Sequence, residues 1–295
     1  MKKILSLALI ILTFALSGCG SDKKDDGTLK IVTSFYPMYL DTLNITRGVA
    51  GVEVVNLTPP QTGCLHDYQL TPEDMKTLET ADIFVVNGLG MESFLDKVTE
   101  ARPDLKIINA SDTPDIVPIM EDGVPNPHVW LSITYSIAQV KNILAQLCEL
   151  DPERADNYKR HALDYIDELT TLRDEMHLSL TFLPNKDFVT FHEAFPYLAA
   201  EFNLNVVDVI EREPGTEPTP QELAETIDKI NALPVKVIFV EPQYSSKAAE
   251  TIANETGAQI FELDPIVTGE AKPENILDYV NRMLTNLMTL AKALQ

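Results

Sequence analysis

The sequence predicts an α/β protein with two lobes, each a mostly parallel four-stranded sheet with flanking helices, joined by one long rigid helix. Short apolar segments alternate with helical segments along most of the 295 residues. This alternation is typical of parallel sheets that are covered on both faces. An amphipathic segment interrupts it near the middle of the chain. A helix start of the form Thr-Pro followed by an acid occurs once on each side of that segment, which indicates a duplicated α/β unit.

Residues 1–19 are predicted to be a lipoprotein signal peptide. Lys2 and Lys3 precede an apolar stretch that is shorter than the roughly 20 residues of a membrane-spanning helix. The following Leu-Ser-Gly-Cys resembles the lipobox of bacterial lipoproteins, so Cys19 is the predicted lipidation site. Residues 20–28 are mostly polar and are expected to form a flexible tether. The protein is therefore expected outside the cytoplasm, anchored by lipid to the bacterial cell membrane.

Composition narrows the possible partners. The formal net charge of −22 argues against binding to nucleic acid and against a basic membrane-binding surface. Excess acid is compatible with attracting cations, and equally with keeping the protein soluble. Only Cys64 and Cys148 follow Cys19, so a disulfide-based scaffold is not expected. Cys148 lies in a helical apolar run and is predicted to be a core residue.

Residues 29–150 are predicted to form the N-terminal α/β lobe. Thr71, Pro72 and Asp74 indicate the start of a helix directly after a loop that contains His66. Ser132 is expected to cap a helix that runs to about Leu150. The predicted strands are Leu29–Val32, Val52–Leu57, Ala81–Val86 and Leu105–Ile108, and the other predicted helices are Tyr36–Arg47 and Gly90–Glu100, with a loop at Val117–Asn126.

Residues 151–183 are predicted to form the connecting helix, because their apolar positions recur every three or four residues. At 1.5 Å per residue such a helix is about 45 Å long, enough to run along both lobes. His161 and His177 lie off its apolar stripe and are expected to be solvated. Residues 184–295 form the C-terminal α/β lobe, with predicted strands at Phe188–Phe191, Val206–Ile210, Val235–Val240 and Gln259–Leu263, a helix at Ala194–Phe202 and a terminal helix at Glu274–Leu294.

Three histidines and one aspartate share a position in this predicted topology. His66, His128, His192 and Asp264 each lie at or after the carboxyl end of a strand, where open α/β sheets bind ligands. Three imidazoles and a carboxylate are a suitable four-ligand set for zinc. Glu241 is a competing carboxylate at another strand end. The side chains of Asp67 and Glu193 could accept hydrogen bonds from the imidazole N–H groups.

Several ordered motifs also resemble one protein family. His-Asp-Tyr followed by Thr-Pro, then Pro-His-Val-Trp-Leu, Phe-His-Glu-Ala-Phe, Glu-Pro-Gln-Tyr-Ser and Leu-Asp-Pro, behind a lipobox, are similar to the zinc and manganese solute-binding lipoproteins of bacterial ABC importers, the cluster 9 family. The resemblance implies a monomer that holds a metal ion between two lobes and delivers it to an ABC permease. The metal ligands of the family correspond to His66, His128, His192 and Asp264. Members that prefer manganese tend to have glutamate where His192 stands, so zinc (Zn²⁺) is expected in preference to manganese (Mn²⁺).

The chain departs from the family pattern in several places. Leu65 stands where some zinc-binding members have glutamate, which leaves Asp264 as the better fourth ligand. Asn126 stands where aspartate is common, and the loop before it is short and lacks the histidines that many members carry there. Cys64 is unusual beside His66, and either a metal-binding thiolate or a partly buried thiol would account for it.

Two alternative functions follow from the same residues. A zinc hydrolase would use the three histidines to hold the metal and Glu193 or Glu241 as a general base. The compact His-Glu-x-x-His motif of many such enzymes is absent from the sequence, so a non-enzymatic protein is favoured. A surface adhesin, active in cell adhesion, would need no metal in its cleft.

Overall fold

A computed structural model describes residues 27–66, 68–210, 219–233, 236–244 and 246–295. The predicted signal peptide with Cys19, most of the predicted tether, Asp67 and the first residue of the predicted strand Val235–Val240 lie outside these ranges. The division of the chain into domains stays a prediction, although the sheets and helices on which it was based can be compared directly.

The N-terminal lobe contains a parallel four-stranded sheet, as predicted. Its order is β2-β1-β3-β4. The strands are β1 (Leu29–Thr33), β2 (Val52–Asn56), β3 (Ile83–Val86) and β4 (Lys106–Asn109), and the helices between them are α1 (Tyr36–Thr46), α2 (Pro72–Glu79) and α3 (Leu95–Ala101).

Helix α3 starts later than the predicted Gly90–Glu100. Gly88, Leu89 and Gly90 all have a positive φ, so the chain turns there instead of entering a helix. The buried carboxylate of Glu92 then accepts hydrogen bonds from the backbone N–H groups of Asn87 (2.8 Å) and Gly88 (3.0 Å). These bonds hold the segment against the end of β3.

The predicted loop at Val117–Asn126 contains a small antiparallel hairpin, formed by β5 (Met120–Glu121) and β6 (Val124–Pro125). Its turn residues, Asp122 and Gly123, both have a positive φ, as a tight hairpin turn requires. A 3₁₀ helix, Val129–Leu131, follows and leads into α4 (Ile133–Leu150). Ser132 caps α4 as predicted, with its Oγ accepting from the backbone N–H of Tyr135 at 3.2 Å. Cys148 is half-buried and packs against the core.

The long helix, α5 (Ala155–Leu180), is shorter than the predicted 151–183. Residues before it form a turn in which the Asp151 carboxylate accepts hydrogen bonds from Tyr158 and Arg154, the former at 2.6 Å. Its buried residues recur every three or four positions, and it packs against α1 and α4. His177 is exposed as expected, whereas the expectation of a solvated His161 is only partly met because that residue is half-buried.

The C-terminal lobe repeats the topology of the first. Its strands are β7 (Asp187–Thr190), β8 (Asn205–Val209), β9 (Val237–Val240) and β10 (Gln259–Glu262), and they form a parallel sheet in the order β10-β9-β7-β8. Its helices are α6 (Pro196–Glu201), α7 (Pro220–Ala232), α8 (Lys247–Thr256) and α9 (Asp278–Ala293). In each lobe the spatial order is therefore second, first, third and fourth strand. The terminal helix begins later than predicted, because Pro273–Leu277 form a 3₁₀ turn with a non-helical residue at Asn275.

Matching capping boxes strengthen the case for duplication. Thr71 Oγ1 accepts from the backbone N–H of Asp74 at 3.2 Å, and Thr219 Oγ1 accepts from that of Glu222 at 3.3 Å. Both acids bond back to the threonine N–H at 2.7 Å. The helices α2 and α7 that start here both connect the second and third strands of their lobes, so the repeated Thr-Pro signal predicted equivalent positions.

One apolar core extends through both lobes. Its buried residues include Val85 and Phe84 of the first sheet, Phe188 and Phe239 of the second, and the buried face of α5, while a smaller cluster lies within the C-terminal lobe. Because interiors are densely packed, a shared core resists large movement of one lobe against the other. The long helix α5 is therefore supported along its length by packing in this core.

Asp41 is a buried acid at the contact between α1 and α5, with an exposed fraction of 2%. The hydroxyl of Tyr165 donates to its Oδ1 at 3.4 Å. Burial raises the pKa of Asp41 well above its ordinary value, and the bond from Tyr165 opposes that rise without cancelling it.

This shift predicts a pH-dependent stability. Above the ordinary carboxyl pKa of 3.8 the unfolded chain releases the Asp41 proton while the folded chain retains it, so the free energy of unfolding falls as pH rises toward the folded-state pKa. Asp41→Asn should remove that part of the fall, as measured by urea unfolding at several pH values. Asp156→Asn, at an exposed position of α5, is the control. Identical pH slopes for the native chain and Asp41→Asn would contradict the prediction.

Candidate metal centre

The structure brings together three of the four residues predicted as metal ligands. His66 lies in the loop after β2, His128 lies directly before the 3₁₀ helix, and His192 follows β7 in the other lobe. Their ring centroids are 5.3 Å apart for His66 and His128, 5.2 Å for His128 and His192, and 6.3 Å for His66 and His192. The two lobes thus contribute imidazoles to one cleft, at the carboxyl ends of their strands.

Cys64 completes this group. Its Sγ lies 3.3 Å from His128 Nε2, and one ligand atom from each of Cys64, His66, His128 and His192 lies within 4.8 Å of the others. Burial raises the pKa of the Cys64 thiol well above its ordinary value, and the negative charge of Glu241 adds to the effect.

The orientation of His128 is fixed from behind by Asn126. The amide nitrogen of Asn126 donates to Glu121 Oε2 at 2.9 Å and to the backbone oxygen of Glu193 at 3.0 Å, so its Oδ1 is turned toward the imidazole. That oxygen lies 2.9 Å from His128 Nδ1, which must then carry the hydrogen. The lone pair is left on Nε2, facing the cleft. Burial lowers the pKa of His128 well below its ordinary value, and the neighbouring histidines lower it further, so the ring is neutral as a metal ligand requires.

Glu241 plays the same part for His192. Its Oε1 lies 3.2 Å from His192 Nδ1, and both side chains are almost completely buried. His192 Nε2 is buried and has no hydrogen-bond partner within the ranges that the structure describes. A buried polar atom without a partner is unfavourable, and a cation bound at this point would satisfy it. The donor set and this orphaned nitrogen both fit a metal ion such as zinc.

Asp264 lies outside the group of mutually close ligand atoms found among the described residues. Its Oδ2 forms an ion pair with Arg282 Nη1 at 3.0 Å, and its Oδ1 accepts from the backbone N–H of Ile266 at 2.8 Å. The side chain of Asn286 forms two hydrogen bonds with the backbone of Asp264. The Asp264 carboxylate is thus directed to α9 in this arrangement.

Trp130 joins the loops around the cleft. Its Nε1 donates to the backbone oxygen of Pro265 at 2.8 Å, its own carbonyl accepts from the hydroxyl of Tyr279 at 2.6 Å, and its ring packs edge-on against Phe35. The structure shows that it anchors the His128 loop to both the loop after β10 and helix α9.

Sequence reasoning missed two residues that shape the cleft. Asn126 was noted only as a departure from the family pattern, although a short amide directly before Pro-His could have suggested a hydrogen bond to the ring. Tyr244 packs beside His192, and its hydroxyl accepts from the backbone N–H of Cys64 at 3.4 Å, which links the two lobes. A Cβ on Gly63 would lie only 2.7 Å from that hydroxyl, so the close approach depends on glycine. No local pattern signals this contact, because the two segments are distant in sequence.

Comparison with known proteins identifies the family. The family model described as "Zinc-uptake complex component A periplasmic" matches residues 31–293. This match covers nearly the whole chain. The chain belongs to the zinc-uptake component A family.

Relatives and solved structures agree with this assignment. A Bacillus subtilis protein named high-affinity zinc uptake system protein ZnuA is 32% identical over 318 aligned positions, which cover 99% of this chain and 98% of that protein. A manganese-binding lipoprotein MntA from Halalkalibacterium halodurans is 28% identical over 88% of each chain. A crystal structure of ZnuA superposes with a TM-score of 0.80 at 32% identity and covers 91% of this chain and all of that one.

Membership of the zinc-uptake component A family confirms several predictions. The fold class, the family and the class of function, a metal solute-binding protein of an ABC importer, are as predicted, and the zinc-hydrolase alternative is wrong because the family is not one of enzymes. Its periplasmic description agrees with a location outside the cytoplasm. In the part of the chain that the structure describes, no helix is both long and apolar enough to span a bilayer.

The contacts of Asn126 generate a prediction for the metal centre. Asn126→Ala removes the acceptor that orients His128, so zinc affinity should fall roughly 10- to 100-fold, as when other metal-ligating histidines lose such a partner. Competitive titration with a zinc chelator measures this, and Asn254→Ala, at an exposed position on α8, is the control. An unchanged affinity in Asn126→Ala would mean that the hydrogen bond to Nδ1 does not position the ring.

Proposed function

We propose that this chain captures zinc between its two lobes, on His66, His128 and His192, and delivers it to an ABC permease in the membrane. The observation that carries the proposal is the convergence of three imidazoles from both lobes around the orphaned Nε2 of His192. Zinc is favoured over manganese as the cargo, because nitrogen donors suit zinc whereas manganese prefers oxygen.

The fourth ligand is the open part of the assignment. The carboxylate predicted from the family pattern, that of Asp264, would have to leave Arg282 and the N–H of Ile266 to reach the cleft. The other predicted carboxylate, Glu241, supports His192 from behind. The third candidate, Cys64, is already beside His128. The backbone oxygen of Glu193 accepts a hydrogen bond from the side chain of Asn126. Asp67, the other residue predicted to accept a hydrogen bond from an imidazole, lies outside the described ranges.

Alanine variants of the proposed ligands test the function. His66→Ala and His192→Ala should each lose more zinc affinity than the roughly 10- to 100-fold that follows loss of an orienting partner. Metal analysis and competitive titration of the full chain measure this, with His161→Ala and His177→Ala, both on α5, as matched controls. Equal affinities in all four variants, or no stoichiometric zinc in the native chain, would refute the proposed site.

Attachment to the membrane belongs to the same proposal. Lipidation at Cys19 would keep a monomeric carrier close to its permease, which raises its effective concentration there. Cys19→Ala should leave the protein exported but release it from the membrane fraction, while Cys148→Ser should stay attached. Cell fractionation followed by immunoblotting distinguishes the two, and membrane attachment of Cys19→Ala would contradict a lipid anchor at this residue.

We separately propose a role in cell adhesion, in which this chain would act as a surface adhesin that needs no metal in its cleft. Binding to immobilised extracellular-matrix proteins, measured for the native chain and for His66→Ala, tests it. Binding that is equal in the two proteins would support a metal-independent adhesin, and no binding would exclude one.

A further inference from the structure

We propose that the fourth donor to the metal is the thiolate of Cys64, so that the site holds its cargo with three imidazoles and one sulfur instead of three imidazoles and a carboxylate. This inference rests on the proposed function, because it concerns the same cleft. It goes further by naming the donor set and thereby the class of metal ion that the chain selects.

Asp264 is already engaged on both carboxylate oxygens. Arg282, which binds its Oδ2, also pairs with Asp278 through Nε at 2.9 Å, and its guanidinium lies 5.6 Å from the centroid of the Tyr36 ring. The hydroxyl of Tyr36 in turn donates to Asp278 at 2.7 Å. Asp264 is therefore the end of a network built on α9 and α1. Moving its carboxylate into the cleft would leave Arg282 short of one partner.

Glu241 is likewise engaged on both carboxylate oxygens. One of its carboxylate oxygens accepts from His192 Nδ1, and the other accepts from Gln243 Nε2 at 2.6 Å. If Glu241 instead bound the metal, His192 would lose the acceptor that directs its Nε2 into the cleft. The same carboxylate cannot orient the imidazole from behind and coordinate the ion in front of it.

The sulfur of Cys64 already lies beside one of the proposed histidine ligands, His128. Because Asn126 requires hydrogen on Nδ1 of His128, Nε2 is the acceptor for the S–H group of Cys64 at 3.3 Å. These two atoms are close enough for one cation to bind both, because zinc bonds to sulfur at about 2.3 Å and to nitrogen at about 2.0–2.1 Å. When zinc binds, a sulfur–zinc bond and nitrogen–zinc bonds form, the thiol proton passes to solvent, and nothing is oxidised or reduced. The backbone of Cys64 is held by the hydroxyl of Tyr244 from the opposite lobe, which keeps the sulfur at the cleft.

A sulfur donor changes the selectivity of the site. Thiolate is a soft ligand that favours zinc and other thiophilic ions such as cadmium, whereas manganese prefers carboxylate and water oxygen. One relative is named for manganese binding. We infer that in this chain Cys64 is a specificity-determining residue, which strengthens the binding of zinc and cadmium and does little for manganese.

Cobalt(II) is the probe that reports on sulfur ligation directly, because a cobalt–thiolate bond gives an intense charge-transfer absorption in the near ultraviolet. The full chain in detergent, kept reduced and free of oxygen, is titrated with cobalt(II) in its native form and as Cys64→Ser, Cys148→Ser and Asp264→Asn. The charge-transfer band should appear in all but Cys64→Ser. Cys148→Ser is the matched control, since it removes the chain's other described cysteine, which lies outside the group at the cleft.

Affinity provides the second readout. Cys64→Ser should bind zinc and cadmium at least about tenfold more weakly, the smallest loss seen when even an outer partner of a metal ligand is removed. Its manganese affinity should change much less, so the ratio of zinc to manganese affinity falls. In Asp264→Asn this ratio should stay as in the native chain.

A third readout guards against a Cys64→Ser variant that fails to fold. In the Cys148→Ser chain, bound zinc should slow alkylation of Cys64 by iodoacetamide, as followed by peptide mapping. A native chain that binds zinc through its histidines but lacks the cobalt charge-transfer band would overturn the sulfur ligand and leave the proposed function standing. An alkylation rate of Cys64 that bound zinc leaves unchanged would also overturn the sulfur ligand. Absence of any bound zinc or cobalt in the native chain would overturn both.

Discussion

The hydrogen bonds to the rear nitrogens of two buried imidazoles are the interactions on which the proposed metal centre depends. Glu241 holds Nδ1 of His192, and Asn126 holds Nδ1 of His128. Each bond settles which nitrogen carries hydrogen, so each ring presents its Nε2 lone pair to the cleft. Without these two hydrogen bonds, neither ring would be held with its Nε2 facing the cleft.

Each lobe places a side chain that supports the proposed site after the third strand of its sheet. In the C-terminal lobe His192 follows the first strand and Glu241 follows the third, and those strands are neighbours in the sheet. In the N-terminal lobe Asn87 follows the third strand and donates to the carbonyl of Pro127 at 2.9 Å, which steadies the loop that carries His128. The two lobes share a strand order, so the same place in each sheet is used to support a proposed ligand. The two lobes share one apolar core that includes the buried face of α5. This core keeps the histidines of the two lobes in place relative to each other.

Much of this could be predicted from the sequence because the signals were local. Apolar periodicity indicated α5, Thr-Pro-x-acid indicated α2 and α7, and the placement of the three histidines after strands indicated a common edge. The helix boundaries that differed did so for local reasons as well, such as the left-handed residues before α3 and the turn that Asp151 stabilises before α5.

The fourth donor could not be predicted in that way. Asp264 and Cys64 both follow strands. Nothing near Asp264 in the sequence predicts that Arg282, 18 residues later on α9, forms an ion pair with its carboxylate. The position of Cys64 likewise depends on Tyr244 from the other lobe. The first of these contacts forms within the C-terminal lobe and the second only between the two lobes. Neither is visible in the local sequence, whereas the family pattern alone favoured the carboxylate.

Anomalous diffraction at the zinc edge, from crystals of the zinc-loaded chain, tests whether imidazoles from both lobes hold the metal between them. We expect a single strong anomalous peak within bonding distance, roughly 2.0–2.1 Å, of nitrogens of His66, His128 and His192. A peak bound by residues of one lobe only, or one located away from these histidines, would contradict it.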